Sequence, residues 1–343
     1  MKNSDRQNRF LQPFVPNAPL IFNLPLGGKI LRGSVILTGS ITLTTTGAGT
    51  VFGAGGPTRL IKRIKMRANP ASGPNGPRYP GGTIVDVYPS TLLNYAATQR
   101  SGVVTGEQSG STLGAGASGT YPIYLAVPLY FADTVLRRQV QTALNADPSA
   151  YVSLQVEVDT ADITNCFTGY NGTVDYTGLN VQWVDDRENF AGDTYTLFQE
   201  DHDLAIQNAA DRALDAAMPQ DGAFLSVLYA GLTTAQQNLA DTILKQVTLN
   251  GDAIDYQQYA ADIRQQMIDD GWFDPRVTPT GLYFIDFTDG LIGGSINAST
   301  LQIRYQLANP GGAGLDTLRV ATRRLFAPTG YQAQGGTAAA QNS

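Results

Sequence analysis

The chain has 343 residues and a formal net charge of −6, and 15% of its residues are charged, against about 25% in an ordinary soluble protein. A negative, charge-poor chain has little attraction for phosphate backbones, so direct sequence-specific binding of nucleic acid is not expected. The 37 glycines and 18 prolines supply many turns, which favours an all-β protein with surfaces buried against its own copies.

The segment 1–19 is predicted to be an extended N-terminal arm. It places three basic residues before two aromatic ones, and such a segment can engage an anionic lipid surface at about 1 kcal/mol per basic residue. We therefore expect the arm to contact a membrane or a neighbouring subunit and to be dispensable for folding, with a frayed tail as the alternative. The candidate residues are Lys2, Arg6, Arg9, Phe10 and Phe14.

A strand with a basic outer face is predicted next. From Thr58 to Ala68 apolar and basic side chains alternate, as in a strand with one buried face. The basic side chains are a candidate interface with an acidic partner surface, whereas a solvated face paired to nearby aspartates is the simpler interpretation. The candidate interface residues are Arg59, Arg63, Lys65 and Arg67.

Further strands and short helices follow. The uncharged segment Tyr121–Phe131 is predicted to be a strand covered on both faces, because its two prolines exclude a helix. Tyr151–Val158 is predicted to be a strand with Val152, Leu154 and Val156 inward. Helices are predicted for Ser90–Gln99, Asp133–Asn145, Asp203–Met218 and Asp255–Asp270, and a charged turn for Asp185–Glu188.

The order strand, helix, strand, strand, strand occurs twice, with longer loops in the first half. The elements of the first half are Leu60–Met66, Ser90–Gln99, Tyr121–Phe131, Tyr151–Val158 and Leu179–Val184. Their counterparts are Ile243–Leu249, Asp255–Asp270, Leu282–Phe287, Thr300–Leu307 and Leu315–Phe326. Two similar β-rich halves indicate two sandwiches or jelly rolls in tandem.

Six segments resemble tectivirus-type double jelly-roll major capsid proteins, which belong to the adenovirus-like capsid lineage. Those similar to the first jelly roll are P-T-R-L-I-K-R-I (57–64), Y-P-I-Y-L-A-V-P-L-Y-F-A-D (121–133) and Y-V-S-L-Q-V-E-V (151–158). Those similar to the second are T-Y-T-L-F-Q (194–199), F-L-S-V-L-Y-A-G-L (224–232) and P-T-G-L-Y-F-I-D-F (279–287). The resemblance covers roughly residues 20–327 and rests on the order of patterns.

The resemblance implies an all-β fold with short helices, made of two tandem jelly-roll barrels. The expected domains are the arm 1–19, a first jelly roll at 20–190, a second at 191–327 and a flexible tail at 328–343. The implied function is that of a major capsid protein, not an enzyme, in an icosahedral bacterial virus. A two-domain β-sandwich binding protein or spike, which recognises a receptor or a carbohydrate, is the alternative.

The resemblance also implies the partners and the location of the protein. The chain is expected to form homotrimers with a pseudo-hexagonal outline, which tile a capsid lattice over an internal lipid membrane. Minor capsid and vertex proteins are the other expected partners. The expected location is the virion, after synthesis in the host cytoplasm.

No catalytic, cofactor or metal site is predicted. The single histidine, His202, has only adjacent acidic residues, which cannot converge on one ion. Cys166 is interpreted as a packing residue rather than a nucleophile. The G-x-G-x-x-G at 114–119 lacks the preceding strand and following helix of a phosphate loop. Asp286 and Asp289 lack the later ligands of a calcium loop.

Overall fold

Strands make up most of the parts of the chain that the structure, a computed structural model, describes. The described residues are 5–45, 51–52, 56–73, 76–99, 107–109, 118–132, 140–168, 172–206, 213–216, 221–233, 238–251, 254–270, 281–287, 296–297, 302–307 and 316–328. The chain divides into two compact units. The first comprises Met1–Ala96 and Val104–Thr196, and the second Ala97–Val103 and Leu197–Ser343. The predicted domain bounds stay predictions.

The described residues up to Glu188 form fifteen strands, one α-helix and three short 3₁₀ helices. The strands are β1 (Asp5–Pro13), β2 (Pro19–Leu24), β3 (Lys29–Thr45), β4 (Val51–Phe52), β5 (Ile61–Pro70), β6 (Ser72–Gly73), β7 (Gly76–Pro77), β8 (Gly82–Val87), β9 (Glu107–Ser109), β10 (Gly119–Tyr130), β11 (Leu144–Asn145), β12 (Tyr151–Thr160), β13 (Phe167–Thr168), β14 (Gly172–Asp175) and β15 (Leu179–Glu188). Helix α1 spans Pro89–Gln99, and the 3₁₀ helices span Gly56–Leu60, Val140–Thr142 and Ile163–Cys166.

Two antiparallel sheets form the body of the first unit. Sheet I has the strand order β1-β15-β3-β10-β9, and sheet II contains the neighbours β8-β5-β12-β2. Period-2 alternation sets their inner faces: along β2, Leu20, Phe22 and Leu24 are buried and the residues between them are exposed. The rings of Phe10 in sheet I and Phe22 in sheet II lie 6.4 Å apart, so the two sheets pack as a sandwich.

The predicted proline-bearing strand is confirmed as β10, which pairs with β3 over its whole length. Strand β9 pairs only with Ile123–Leu125, so neither proline lies in that pairing. Leu125, Val127 and Leu129 are fully buried in the core. The prediction that both faces are covered is wrong at Tyr124, which is 44% exposed on the outer face.

Two predictions about strands of the first unit are wrong. The predicted turn at Asp185–Glu188 belongs to β15, because Asp185 and Arg187 point inward and satisfy each other. Val152 is 64% exposed rather than inward, because a register shift between Tyr151 and Ser153 turns it outward. Such bulges redirect one side chain without ending the strand.

The helix predictions for the first unit have mixed outcomes. The helix predicted for Ser90–Gln99 is confirmed as α1. The helix predicted for Asp133–Asn145 is wrong where the structure describes it, because Val140–Thr142 is a 3₁₀ helix and β11 pairs with β3. Residues 133–139 lie outside the described residues. The basic strand starts at Ile61, after the 3₁₀ helix Gly56–Leu60.

The described residues from Thr196 onward form ten strands and a second α-helix. The strands are β16 (Thr196–Ile206), β17 (Ala213–Ala216), β18 (Ala223–Thr233), β19 (Asn238–Leu239), β20 (Leu244–Gly251), β21 (Ile254–Tyr259), β22 (Leu282–Asp286), β23 (Ile296–Asn297), β24 (Gln302–Leu307) and β25 (Asp316–Phe326). Helix α2 spans Ala260–Asp269.

The second unit is again built from two sheets. Sheet III contains β19-β18-β25-β16, with β22 and β23 also paired to β18, and sheet IV has the order β17-β24-β20-β21. The rings of Tyr229 in sheet III and Tyr305 in sheet IV meet edge to face at 5.5 Å. The two sheets therefore share a core, as in the first unit.

Two helix predictions for the second unit need correction. In 203–218 the described residues are strands, because β16 continues to Ile206 and β17 pairs with β24, so sheet pairing overrides the helix propensity of the alanines. In 255–270 the first residues form β21, and the helix begins at Ala260. On this helix Ala260, Ile263 and Met267 are buried and form its apolar face, whereas Tyr259 before it is 52% exposed.

Candidate functional site

The basic side chains predicted on β5 lie in an ion-pair network on the outer face of sheet II. Lys65 Nζ donates to Asp159 at 2.6 Å and to Glu157 at 3.3 Å, and Arg67 pairs with Glu157 at 3.0 Å. The hydrogen bond to Asp159 raises the pKa of Lys65. Arg63 donates to the Asp86 carboxylate at 2.7 Å. We call this set of ion pairs the ion-paired face.

The network neutralises the basic strand from within its own sheet. Arg63 also lies over the ring of Tyr88, 4.3 Å from its centroid, while Arg67 remains half exposed. Arg59 stands apart in the 3₁₀ helix Gly56–Leu60, and its buried Nη2 atom has no hydrogen-bond partner among the described residues. The role of Arg59, Arg63, Lys65 and Arg67 at an interface stays a prediction.

The predicted N-terminal arm forms a strand of the first unit. Strand β1 pairs with β15 from Asp5 to Pro13. Phe14 is 3% exposed, and its ring packs edge-on against Tyr176 at 6.1 Å. The ring of Phe10 packs against that of Phe22 in a tilted arrangement. The expectation that this segment is dispensable for folding is therefore not supported, since β1 is part of sheet I and Phe14 is part of the core.

The basic residues of this segment occupy different places along the chain. Arg6 lies opposite Asp186 in the register of β1 and β15, and Arg9 stands at the register shift between Asn8 and Phe10. Lys2 lies outside the described residues. Their contact with lipid or a neighbouring subunit stays a prediction.

A buried ion pair at the end of β15 was missed by the sequence analysis. Arg187 donates to both carboxylate oxygens of Asp185 at 2.9 Å, and Trp183 Nε1 donates to the same carboxylate at 3.0 Å. Arg187 Nη1 also donates to the backbone carbonyls of Pro25 and Gly27. The pair therefore fixes the turn between β2 and β3. The i, i+2, i+4 spacing of Trp, Asp and Arg is the signal that could have revealed it.

A polar cleft of about 530 Å³ in the first unit has Lys29 among its lining residues. Lys29 is buried, and its ammonium donates to the backbone carbonyls of Phe190 and Gly192 and lies 4.1 Å from the centre of the Phe190 ring. Burial lowers the pKa of Lys29. The ammonium is satisfied by the segment it holds, so the cleft has a structural role.

The acidic residues beside His202 are bound by arginines of β25. Arg319 donates to both carboxylate oxygens of Asp203, at 2.8 and 3.1 Å, and Arg324 pairs with Glu200 at 2.5 Å. Arg324 also pairs with Asp221. The carboxylates around His202 therefore join strands of sheet III.

The other sequence motifs carry no catalytic arrangement in the described parts of the chain. Cys166 is buried, its thiol donates to the Ile163 carbonyl, and burial raises its pKa to about 12, as expected of a packing residue. Residues 114–117 and Asp289 lie outside the described residues. Among those described, no group of three metal-binding side chains comes together, and no helix has the length and apolarity to cross a membrane.

Solved structures match the chain along nearly its whole length. The major capsid protein of Sulfolobus turreted icosahedral virus (STIV) is 14% identical, with a TM-score of 0.64 over 95% of this chain and 96% of that protein. The major capsid protein P2 from bacteriophage PM2 is 11% identical, with a TM-score of 0.59 over 94% and 97%. A chain of the PBCV-1 virus capsid is 10% identical, with a TM-score of 0.59 over 94% and 93%.

These matches define the class of fold. The chain has the double jelly-roll fold of viral major capsid proteins, which confirms the fold predicted from the sequence. The matched proteins are components of viral capsids. Neither a protein-family model nor a curated protein sequence matches the chain.

Proposed function

We propose that this protein is a major capsid protein, the repeated subunit of a viral shell. The observation that carries the proposal is the fold match over 95% of this chain and 96% of the STIV protein, which leaves little of either chain outside the shared fold. The low content of charged residues supports it, since a shell subunit buries much of its surface against its own copies.

The assembly that we propose is a homotrimer with a pseudo-hexagonal outline. Two jelly rolls in each chain give six in a trimer, and a ring of six similar barrels can tile a closed shell. The virus is proposed to be an icosahedral bacterial virus with an internal membrane, as the sequence resemblance to tectivirus-type capsid proteins implies. Minor capsid and vertex proteins complete the partners, and the protein resides in the virion after synthesis in the host cytoplasm.

The mass of the purified protein in solution tests the proposal directly. Size-exclusion chromatography with light scattering should give three times 36.6 kDa, and electron micrographs should show pseudo-hexagonal particles or shells. A chain that stays monomeric at all concentrations overturns the proposal. Binding of such a monomer to a glycan array would instead support the carbohydrate-binding alternative.

The N-terminal segment is proposed to attach the trimer to the membrane through Lys2, Arg6 and Arg9. At about 1 kcal/mol per basic residue, three of them bind weakly, but a shell with many copies adds the contributions. Because deletion would also remove β1, the three residues should be changed to Gln in the full chain. Wild-type trimer should float with anionic vesicles at low salt and the variant should not.

High salt should abolish flotation of the wild type, since the attraction is electrostatic. Equal flotation of wild type and variant would overturn the lipid contact. If neither floats while the variant alone fails to form shells, the segment contacts a neighbouring subunit instead.

A further inference from the structure

The outer face of sheet I carries a band without charge. In antiparallel pairs, residues opposite each other share a face, so the register gives the rows of side chains across the sheet. In one row Leu11 lies opposite Gln182, which lies opposite Ile36. Ile36 in turn lies opposite Ala126. None of these four side chains is ionisable. Leu11 at the edge is 61% exposed, whereas Ile36 in the middle of the row is 9% exposed.

The next row repeats this pattern. Pro13 lies opposite Asn180, and Asn180 lies opposite Thr38. Thr38 lies opposite Tyr124, whose ring is the largest exposed side chain of β10. These two rows, from Leu11 to Ala126 and from Pro13 to Tyr124, are called the neutral face.

Charged residues of the described strands flank these rows. Arg9 precedes Leu11 by two residues on β1, Arg32 pairs with Asp186 at one end, and Asp175 of β14 lies opposite Thr42 at the other. A neutral centre with a charged rim is the usual anatomy of a protein–protein interface. The ion-paired face of sheet II has the opposite arrangement. Its carboxylates, the Lys65 ammonium and the Arg67 guanidinium lie at the centre of the sheet.

We propose that the neutral face docks onto a second copy of this chain, an inference that rests on the proposed function. The two rows cross four strands at 4.8 Å spacing and take up about four residues along β3, so they present about 250 Å² of surface. A standard interface buries about 800 Å² per partner, so the neutral face supplies about a third of that area and would form the centre of a larger contact. Tyr124, at the β10 end of the second row, is of a residue type that often anchors such contacts.

The charge of the chain favours its own copy as the occupant. Each copy carries a net charge of −6, so two copies repel each other wherever their charged surfaces approach. A face without ionisable groups lets them approach without desolvating charge. Nucleic acid and anionic lipid need basic groups, and neither row contains one.

A charge placed in the neutral face tests the proposal. The variant Thr38→Arg should weaken association by about a hundredfold or more, because docking would bury an unpaired guanidinium. The matched control is Val152→Arg, which adds the same charge at an exposed position of sheet II. The measurements are the mass in solution over a dilution series and the thermal unfolding midpoint.

Protection of a thiol provides a second measurement that does not depend on disrupting the assembly. The only native cysteine is buried, so Tyr124→Cys introduces a single accessible thiol, and Val152→Cys does the same on sheet II. Maleimide labelling of Tyr124→Cys should slow by about tenfold or more when the protein passes from monomer to oligomer. Labelling of Val152→Cys should keep its rate.

The possible outcomes separate this inference from the proposed function. If the wild type forms oligomers while Thr38→Arg is folded and monomeric and Tyr124→Cys is protected, the inference holds. If the wild type forms oligomers but Tyr124→Cys labels equally fast in both states, the inference is overturned and the proposed function stands. A wild type that never associates overturns both.

Discussion

The first unit contains two sets of ion pairs that differ in their exposure to water. On the ion-paired face of sheet II, the side chains of Lys65 and Asp159 are 23% and 24% exposed. Inside the sandwich, those of Arg187 and Asp185 are 7% and 0% exposed. Solvent screens the first set, so each pair contributes at most about 1 kcal/mol. The buried set is unscreened, and removal of one partner leaves the other charge without compensation.

The two sets also differ in what they hold. The outer pairs join neighbouring strands that the backbone ladder already joins, so they mainly neutralise the basic strand. The buried pair reaches through Arg187 to the carbonyls of Pro25 and Gly27, which lie outside any strand. Burial and the contacts with the turn between β2 and β3 therefore make the inner pair the more important one for the fold.

A buried charge with no partner gives the largest expected effect. Leu154 on β12 is 1% exposed, so Leu154→Asp places a carboxylate in the core without a cation beside it. We expect a loss of more than about 4 kcal/mol, which abolishes soluble, folded protein. Soluble yield and circular dichroism measure it. The control Val152→Asp, on the same strand but exposed, should stay within about 0.5 kcal/mol of wild type. Normal yield of folded Leu154→Asp would contradict its place in the core.

Breaking the buried pair is the next largest expected effect. The variant Asp185→Ala leaves the Arg187 guanidinium and the Trp183 N–H without their acceptor, at a cost of about 3–5 kcal/mol. Urea unfolding measures the change. The double variant Asp185→Ala with Arg187→Met should recover part of the loss, because it removes the uncompensated charge. A loss below about 1 kcal/mol in the single variant would show that the pair is hydrated.

A capping carboxylate gives an intermediate effect. Asp162 accepts from the Thr164 backbone N–H at 2.9 Å at the start of a 3₁₀ helix, which lowers the pKa of Asp162. Because the folded-state pKa is the lower one, this stabilisation is complete above about pH 4 and is lost as the pH falls through the folded-state pKa. Asp162→Ala should cost about 1 kcal/mol at pH 7. The difference from wild type should shrink in acid, and a pH-independent difference would contradict the cap.

The smallest effect is expected on the ion-paired face. Glu157→Gln removes the acceptor charge shared by Lys65 and Arg67, yet the loss should stay below about 1 kcal/mol, because Asp159 still pairs with Lys65. Urea unfolding at low and high salt measures it. The difference should vanish at high salt, and a loss as large as that of Asp185→Ala would erase the distinction between the two sets.

The overall architecture could be predicted from the sequence. The places where a strand replaces a predicted helix, or where a bulge reverses one side chain, could not. Alternation in β12 and β24 and the uncharged β10 indicated strands correctly, because hydrophobic periodicity is a local property. The helix prediction for 203–218 was wrong in both described parts, since β16 continues to Ile206 and β17 pairs with β24. The bulge that exposes Val152 likewise depends on the partner strand and leaves no trace in composition.

The candidate surfaces were only partly predictable for the same reason. The basic strand was visible from alternation, but its partners Glu157 and Asp159 lie on another strand far along the chain. Asp185 and Arg187 were interpreted as a turn because a charged run is usually exposed. Only the fold shows that they close the core together. The neutral face is assembled from four strands, so no single segment of the sequence indicates it.

The pairing of β1 with β15 has a consequence for biosynthesis. Strand β1 is synthesised well before its ladder partner β15, which ends at Glu188. At 5–20 residues per second, β1 waits about ten to forty seconds before that partner is made. During this interval its apolar side chains, Phe10 among them, are exposed to other nascent chains. We therefore expect chaperones to be needed mainly during the first half of translation. The late step in forming sheet I should be the pairing of β1 with β15, which are far apart in the sequence.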